Sequence, residues 1–377
     1  MDFLLVRAMN EIRPDGIIKR LRSSGYEAYF VGGCVRDTLL ERSIHDWDIT
    51  TSALPEQILS CFEHCVPTGI KHGTVTVFYD RFEAEVTTFR TDGNYSDSRH
   101  PEQVTFVRSL AEDLARRDFT INAMAMDEDG SIIDLYGGTE DLRRKLIRCV
   151  GEPNLRFRED ALRMLRALRF SAQLGFDIET ETREAICMNA HLSEHLSAER
   201  VRDEMEKTLC SPNPQKLDDM AQMGLLARCN PSAESSCQWI GDLPAEASVR
   251  WAALCHTWPH MDLSVLRLSK KITQDAGVAG RVVMPETEYQ WKCLIAEQGE
   301  ERSLIVGEMF RCRDIVERIL SSGDCLSLRQ LAVTGADFPD LKGPALGEHL
   351  KRLLHHVLEH PQDNCKEVLI NISQGTV

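Results

Sequence analysis

Short β-branched runs alternate with segments of helical period over the first 150 residues. The remainder reads as helices interrupted by breaks at "SPNP" (211–214) and "TGADFPD" (334–340). This pattern predicts an α+β head followed by a long all-α region. Within the head, "AYFVGG" reads as a strand ending in glycines, "CVRDTLLER" as a helix and "DWDITTS" as extended chain. "GTVTVFYDRFEAEVTTF" reads as a hairpin turning near Asp80 and Arg81, with Glu83, Glu85, Thr87 and Phe89 sharing one face. The polar, turn-rich "RTDGNYSDSRHPEQ" that follows is expected to be a mobile loop. No internal repeat or low-complexity tract interrupts this order.

Composition narrows the class. With 377 residues and 42% hydrophobic content, the chain is long enough for two or three globular domains. The N-terminal "MDFLLVRAMNEIRPDG" carries acids early and has too short an apolar run for a signal peptide. No stretch approaches the roughly 20 apolar residues of a membrane span, so cytoplasmic residence is expected. Thirteen cysteines without a C-x-x-C pair read as reduced, small hydrophobes rather than a disulfide framework. Cys61, His64 and Cys65 form half a metal-binding pattern with no second half, so no structural zinc is expected.

The net charge of −15 argues against indiscriminate binding to polyanions. From Arg143 to Arg169, however, nine basic residues face only three acids, and this is where contact with phosphate is expected. In "EDALRMLRALRF", a projection at about 100° per residue puts Ala161, Met164, Leu165 and Leu168 on one apolar arc. Arg163, Arg166 and Arg169 lie across the other side, where they are either available for anions or solvated and ion-paired.

The stretch "YFVGGCVRDTLLERSIHDWDITTS" (29–52) concentrates candidate chemistry. Gly32 and Gly33 fall where a strand passes into a helix, so backbone N–H groups can approach a phosphate; a tight turn would use the same pair. Asp46 and Asp48, two residues apart in extended chain, project from one face and can share hard cations such as Mg²⁺, which also takes phosphate oxygens from a substrate. A solvated strand edge with a chance D-x-D would carry the same residues.

The surrounding motifs decide between these readings. "FVGGCVRDTLLERSIHDWDI", "TGIKHGTVTV", "EVTTFRTDGNYSDSRHPEQVTF", "DLARRDFTINAMAMD" and "RFREDALRMLRALRFSAQLGF" occur in order. Together they resemble the class II tRNA nucleotidyltransferase and bacterial poly(A) polymerase family of the DNA polymerase beta superfamily, strongly over residues 28–176. The resemblance implies a polymerase beta-like mixed sheet with helices, then an elongated helical neck, body and tail. The corresponding boundaries are 1–148 for the head, 149–210 for the neck, 211–325 for the body and 326–377 for a tail that binds the tRNA backbone.

The resemblance also implies roles for individual residues. Gly33 and Arg36 match triphosphate contacts, and Asp46 and Asp48 match the metal ligands. Glu85 is the candidate third carboxylate. Arg117 and Asp118, in the "RRD" that begins at Arg116, match residues that hold the ribose and phosphate of an incoming nucleotide, with Asn122 supporting the same wall. Asp160 and Arg163 match the base-selecting pair, Glu159 orients Arg163, and Arg166 and Arg169 lie nearer the triphosphate or the RNA end. The chemistry is consistent: a carboxylate accepts from the exocyclic amine and a guanidinium donates to the ring nitrogen, a pattern that cytosine and adenine share and that uracil and guanine oppose. Asp37 stays outside this set, because an acid early in a helix also satisfies backbone N–H groups.

The expected activity is template-independent addition of the tRNA 3′-terminal CCA from CTP and ATP with Mg²⁺, with tRNA as macromolecular partner and no obligate protein partner. A poly(A) polymerase, a CC-adding or A-adding member of a split pair, and a catalytically silent tRNA-binding protein remain alternatives. "RWAALCHTWPHMD" lacks paired His-Asp ligands, so no phosphohydrolase is expected and His256 and His260 read as structural or surface residues. In the tail, Gly343, Pro344 and Gly347 open a helix that carries Lys351 and Arg352, either a tRNA-backbone contact or a surface helix with chance basic residues.

Overall fold

A computed structural model describes residues 13–92, 104–232 and 235–374. The described chain divides into two compact units. One runs to Thr208 and includes Lys216–Arg228; the other comprises Leu209–Gln215 and Cys229–Val377.

The first unit is built on strands β1 (Ala28–Val31), β2 (Trp47–Thr51), β3 (Cys65–Gly69), β4 (Thr74–Tyr79), β5 (Phe82–Thr88), β8 (Met124–Met126) and β9 (Ile132–Asp134). They form one mixed sheet in the order β3-β4-β5-β2-β1-β8-β9, in which only the β2–β5 pair is parallel. Between them, β6 (Arg90–Asp92) and β7 (Val104–Phe106) form a separate ribbon, and a short parallel pair joins β10 (Leu146–Ile147) to β11 (Asp177–Ile178). The helices are α1 (Asp15–Ser23), α2 (Gly33–Leu39), α3 (Pro55–Cys61), α4 (Leu110–Ala115), α5 (Gly138–Arg143), α6 (Pro153–Glu159), α7 (Leu162–Leu174), α8 (Thr180–Asn189), α9 (Ala198–Leu209) and α10 (Lys216–Gln222).

The alternation in β4 and β5 is the cause of their placement. Val75, Val77, Ala84 and Val86 enter the core while Glu83 and Glu85 stay exposed on the opposite face. The turn falls at the expected Asp80 and Arg81, with Asp80 in the left-handed region (φ 54°), which a short acidic residue tolerates. Of the four residues expected to share one face, Glu83, Glu85 and Thr87 lie within β5 and Phe89 does not. It lies beyond the end of β5, is fully buried, and donates its N–H to Thr51 O at 2.7 Å. Of the expected mobile loop, residues 90–92 are strand β6 and residues 93–103 lie outside the described residues.

The second unit contains α11 (Ala247–Thr257), α12 (Lys270–Ala279), α13 (Glu288–Gln298), α14 (Glu300–Met309), α15 (Arg313–Ser321), α16 (Pro344–Glu359) and α17 (Lys366–Ser373). Trp251, Trp258 and Trp291 fill its core. Buried Arg250 donates to the carbonyls of Leu209, Ser211, Gly241, Leu243 and Pro244, which holds the "SPNP" break in place. His256 faces Gly280 O at 3.1 Å and packs edge-on against Trp239 and Phe310. Helix α16 opens as its glycines and proline predict, with Gly343 at φ 58° and Pro344 as its first residue. Lys351 and Arg352 are exposed on it. Among the described residues, no helix is long and apolar enough to cross a membrane.

Candidate active site

The parallel register of β2 and β5 sets Asp48 directly beside Glu85. Asp46 precedes the first residue of β2 and is exposed, whereas Asp48 is half-buried. Burial pushes the Asp48 carboxyl up to about 6; the charges of Glu85 and Asp46 add to the rise, and Arg117 opposes it. A carboxylate that burial and like charges disfavour is relieved by a cation, so this donor set fits a hard divalent ion. Among the described residues, no group of three or more His, Cys, Asp or Glu side chains is placed to hold a metal ion.

Gly32 sits between the carboxylates and Arg117. It has φ 78°, and a Cβ there would lie 3.1 Å from Arg117 Nη1 and 3.6 Å from Asp48 Oδ2. Any side chain would fill the gap that separates the cation from the acid. Helix α2 behind it has only seven residues, so the local positive charge comes mainly from Arg117 rather than from a long helix dipole.

Buried Asp113 holds the arginines of "RRD". Its Oδ1 accepts from Arg116 Nε and Nη2 at 3.0 and 2.9 Å, and its Oδ2 accepts from Arg117 Nη2 and Thr50 Oγ1, both at 3.2 Å. Burial alone would raise its carboxyl, but Arg116 and Arg117 outweigh burial and hold it below the usual range. Sequence reasoning did not single out Asp113; its spacing of three and four residues from the two arginines was the available signal.

Asp118 anchors a second network. Its Oδ1 accepts from Phe119 N and Asn122 Nδ2 at 2.8 and 3.2 Å, and its Oδ2 accepts from Arg166 Nε at 2.8 Å. Asn122 Oδ1 in turn accepts from Arg36 Nη1 at 2.9 Å, and Asp37 takes the other edge of Arg36 at 3.0 and 2.8 Å. Asp37 is therefore occupied by an arginine rather than by the helix N-terminus. The Arg36 guanidinium lies 3.7 Å from where a Cβ on Gly33 would be.

On α7 the apolar arc packs as predicted, with Ala161, Met164, Leu165 and Leu168 all buried. The opposite side is not an open cationic face. Arg163 and Arg169 are buried, and each arginine already has a carboxylate: Arg163 with Glu159 at 2.8 Å, Arg166 with Asp118 at 2.6 Å, and Arg169 with Glu204 at 2.5 Å. Arg36, Arg166 and Arg169 also surround the Phe170 ring, with their guanidinium carbons 5.2, 5.2 and 4.0 Å from its centroid. Asp160, at the end of α6, accepts from Leu162 N at 3.0 Å and from Arg200 Nη2 at 2.8 Å. Arg200, Glu204 and Phe170 are members of this site that sequence reasoning missed. Glu204 and Arg200 lie more than thirty residues from their partners, and no local pattern marks such pairs.

Comparison with known proteins places this geometry in a family. Residues 28–148 match the model for the "Poly A polymerase head domain", and residues 175–237 match that for the "Probable RNA and SrmB- binding site of polymerase A". The chain is 49% identical over 363 residues to the CCA-adding enzyme of Geobacillus thermodenitrificans, with 90% of this chain and 89% of that protein aligned. The chain belongs to the CCA-adding enzyme family. A second member, from Enterococcus faecalis, is 38% identical over 382 residues, covering 95% of this chain and 94% of its own. Among solved structures, the Bacillus stearothermophilus CCA-adding enzyme in complex with CTP superposes with a TM-score of 0.81 at 38% identity, covering 97% of this chain and 99% of that one. The mixed sheet followed by a helical region is the fold expected of this family.

Proposed function

We infer that this chain adds the 3′-terminal CCA to tRNA from CTP and ATP without a nucleic-acid template. The observation that carries the reading is similarity to CCA-adding enzymes along nearly the whole chain, with Asp48 and Glu85 paired in register at the sheet. The tRNA 3′-hydroxyl oxygen attacks the α-phosphorus, the bond to pyrophosphate breaks, and no covalent enzyme intermediate is required. Asp46 and Asp48 would hold a divalent cation, for which we propose Mg²⁺. When bound, it supplies charge neutralisation at the phosphate and acidity at the attacking hydroxyl.

The remaining work falls to positioned side chains. Arg117, held by Asp113 beside the Gly32 turn, meets the phosphates, with Gly33 and Arg36 behind it. Asp118 and Asn122 form the ribose wall. Asp160 accepts from the exocyclic amine of cytosine or adenine, and Arg163, oriented by Glu159, donates to the ring nitrogen. We propose the four parts that the family resemblance implies: head 1–148, neck 149–210, body 211–325 and tail 326–377, with Lys351 and Arg352 meeting the tRNA backbone.

Extension of a tRNA transcript lacking its last three nucleotides tests the reading, with Mg²⁺ and CTP, ATP or both. Two additions with CTP, and a third only when ATP is present, are expected. Arrest at CC with both nucleotides would mean a CC-adding enzyme, and long adenosine tails a poly(A) polymerase.

A further inference from the structure

Arg200 is bound to Asp160 by one nitrogen only. Its Nη2 donates to Asp160 Oδ2 at 2.8 Å, whereas its Nη1 is buried and has no hydrogen-bond partner among the described residues. A guanidinium N–H shut away from water without an acceptor is costly, and such a group in a substrate site is explained by an acceptor that arrives with the substrate. The Asp160 carboxylate beside it is fixed from two sides, by Leu162 N on its Oδ1 and by Arg200 on its Oδ2. A base amine donating to Asp160 therefore arrives next to Arg200.

We propose that Arg200 is an adenine-specific contact, its Nη1 donating to N7 of the incoming ATP. This rests on the reading that Asp160 accepts from the base amine. The adenine amine is flanked by N1 on the Watson–Crick side, which Arg163 serves, and by the acceptor N7 on the other side. The cytosine amine is flanked by the ring nitrogen and by a C–H, so CTP leaves Nη1 without a partner. Guanine also carries N7, but its O6 would face the Asp160 carboxylate, so that acceptor cannot be exploited. Asp160 and Arg163 admit C and A alike; Arg200 adds a donor that only A can use, which is what the last addition needs.

The test compares ATP with 7-deaza-ATP, which replaces N7 by C–H and keeps the Watson–Crick edge. The full chain extends a tRNA transcript ending in CC, and kcat/KM is measured for each nucleotide. About a tenfold preference for ATP is expected, the scale of one charge-assisted hydrogen bond. The preference should fall to about onefold in Arg200→Met and in Arg200→Lys, which keeps the charge beside Asp160 but not the second planar N–H. Equal use of the two nucleotides by the wild-type chain overturns the proposal. So does a preference that survives in both variants, because another group would then be reading N7. CTP addition to a transcript lacking the CCA separates the two levels. If neither CTP nor ATP is ever added, the functional reading itself fails and takes this inference with it.

Discussion

Replacing Asp118 with asparagine removes one charge and almost no volume, so its effect isolates the electrostatics of the buried wall. Burial would push the Asp118 carboxyl up, yet Arg166, Asn122 and the Phe119 N–H together hold it down at about 2. Against an ordinary value near 3.9, that gap corresponds to about 2.5 kcal/mol in favour of the ionised form. The hydrogen bonds show why an amide cannot replace it. Oδ1 receives two donors, from Phe119 N and Asn122 Nδ2, and Oδ2 receives Arg166. An asparagine in either orientation points its NH₂ at another donor. Arg166 is about a third exposed (34%) and can recover water, so the loss should lie near 2–3 kcal/mol, toward the low end for broken buried pairs. The two compact units need not unfold together, so the assay is urea unfolding read by amide exchange in peptides of the first unit. The pH dependence has a defined sign. A carboxyl depressed in the folded state contributes fully above its unfolded value near 4, and the contribution is lost as pH falls toward 2. The wild-type advantage should therefore be constant from pH 8 to about 5 and shrink below about 4. An asparagine variant as stable as wild type at pH 7, or an equal advantage at pH 3, would refute the reasoning.

Asp48→Asn should lower extension by at least about a hundredfold without lowering the Tm, because it removes a carboxylate that burial and its neighbours already disfavour; a drop in Tm with activity retained would contradict this. Glu204→Gln should cost about 3 kcal/mol in the same urea assay, since Arg169 would be left buried against a neutral partner; a loss below about 1 kcal/mol would mean that the pair is dispensable. Gly73→Ala should destabilise the first unit by about 1–3 kcal/mol, because a Cβ would meet Phe106 Cε1 at 2.7 Å on a backbone with φ 81°. Gly25→Ala, at φ 88° with nothing within 4 Å, isolates the backbone strain and should cost less in a matched measurement. Asp160→Ala should blur selection of C and A against U and G more than it weakens tRNA binding; unchanged discrimination in competition assays would sink the base-reading model.

What was legible in the sequence follows the range of the forces involved. Alternation in "GTVTVFYDRFEAEVTTF" located the β4–β5 hairpin and its turn, because side-chain period and turn chemistry act within a few residues. The D-x-D spacing singled out Asp46 and Asp48 by the same local logic, and the β2–β5 register sets Asp48 beside Glu85. The burial of Phe89 was not legible, because it depends on Thr51, a partner outside the hairpin. The charge count over Arg143–Arg169 had the same weakness on a larger scale. Arg148 pairs with Asp141, Arg166 with Asp118 and Arg169 with Glu204, all acids outside the counted window, and Arg156 and Arg163 share Glu159. A local surplus of positive charge is thus largely neutralised by long-range pairs, and what faces solvent there is Arg143, Arg144, Lys145 and Arg158. The pairing has a consequence for binding. Guanidiniums gathered around one aromatic ring repel each other, and the carboxylates that hold Arg36, Arg166 and Arg169 fix their positions before any ligand arrives. An incoming phosphate therefore finds oriented donors but must compete with carboxylates for them. Weakening a carboxylate partner that touches no nucleotide, such as Glu204 beside Arg169, should consequently loosen the fold and, wherever the arginine keeps its position, strengthen its attraction for phosphate. Stability and nucleotide affinity would then move in opposite directions in Glu204→Gln, whereas simple structural damage would lower both.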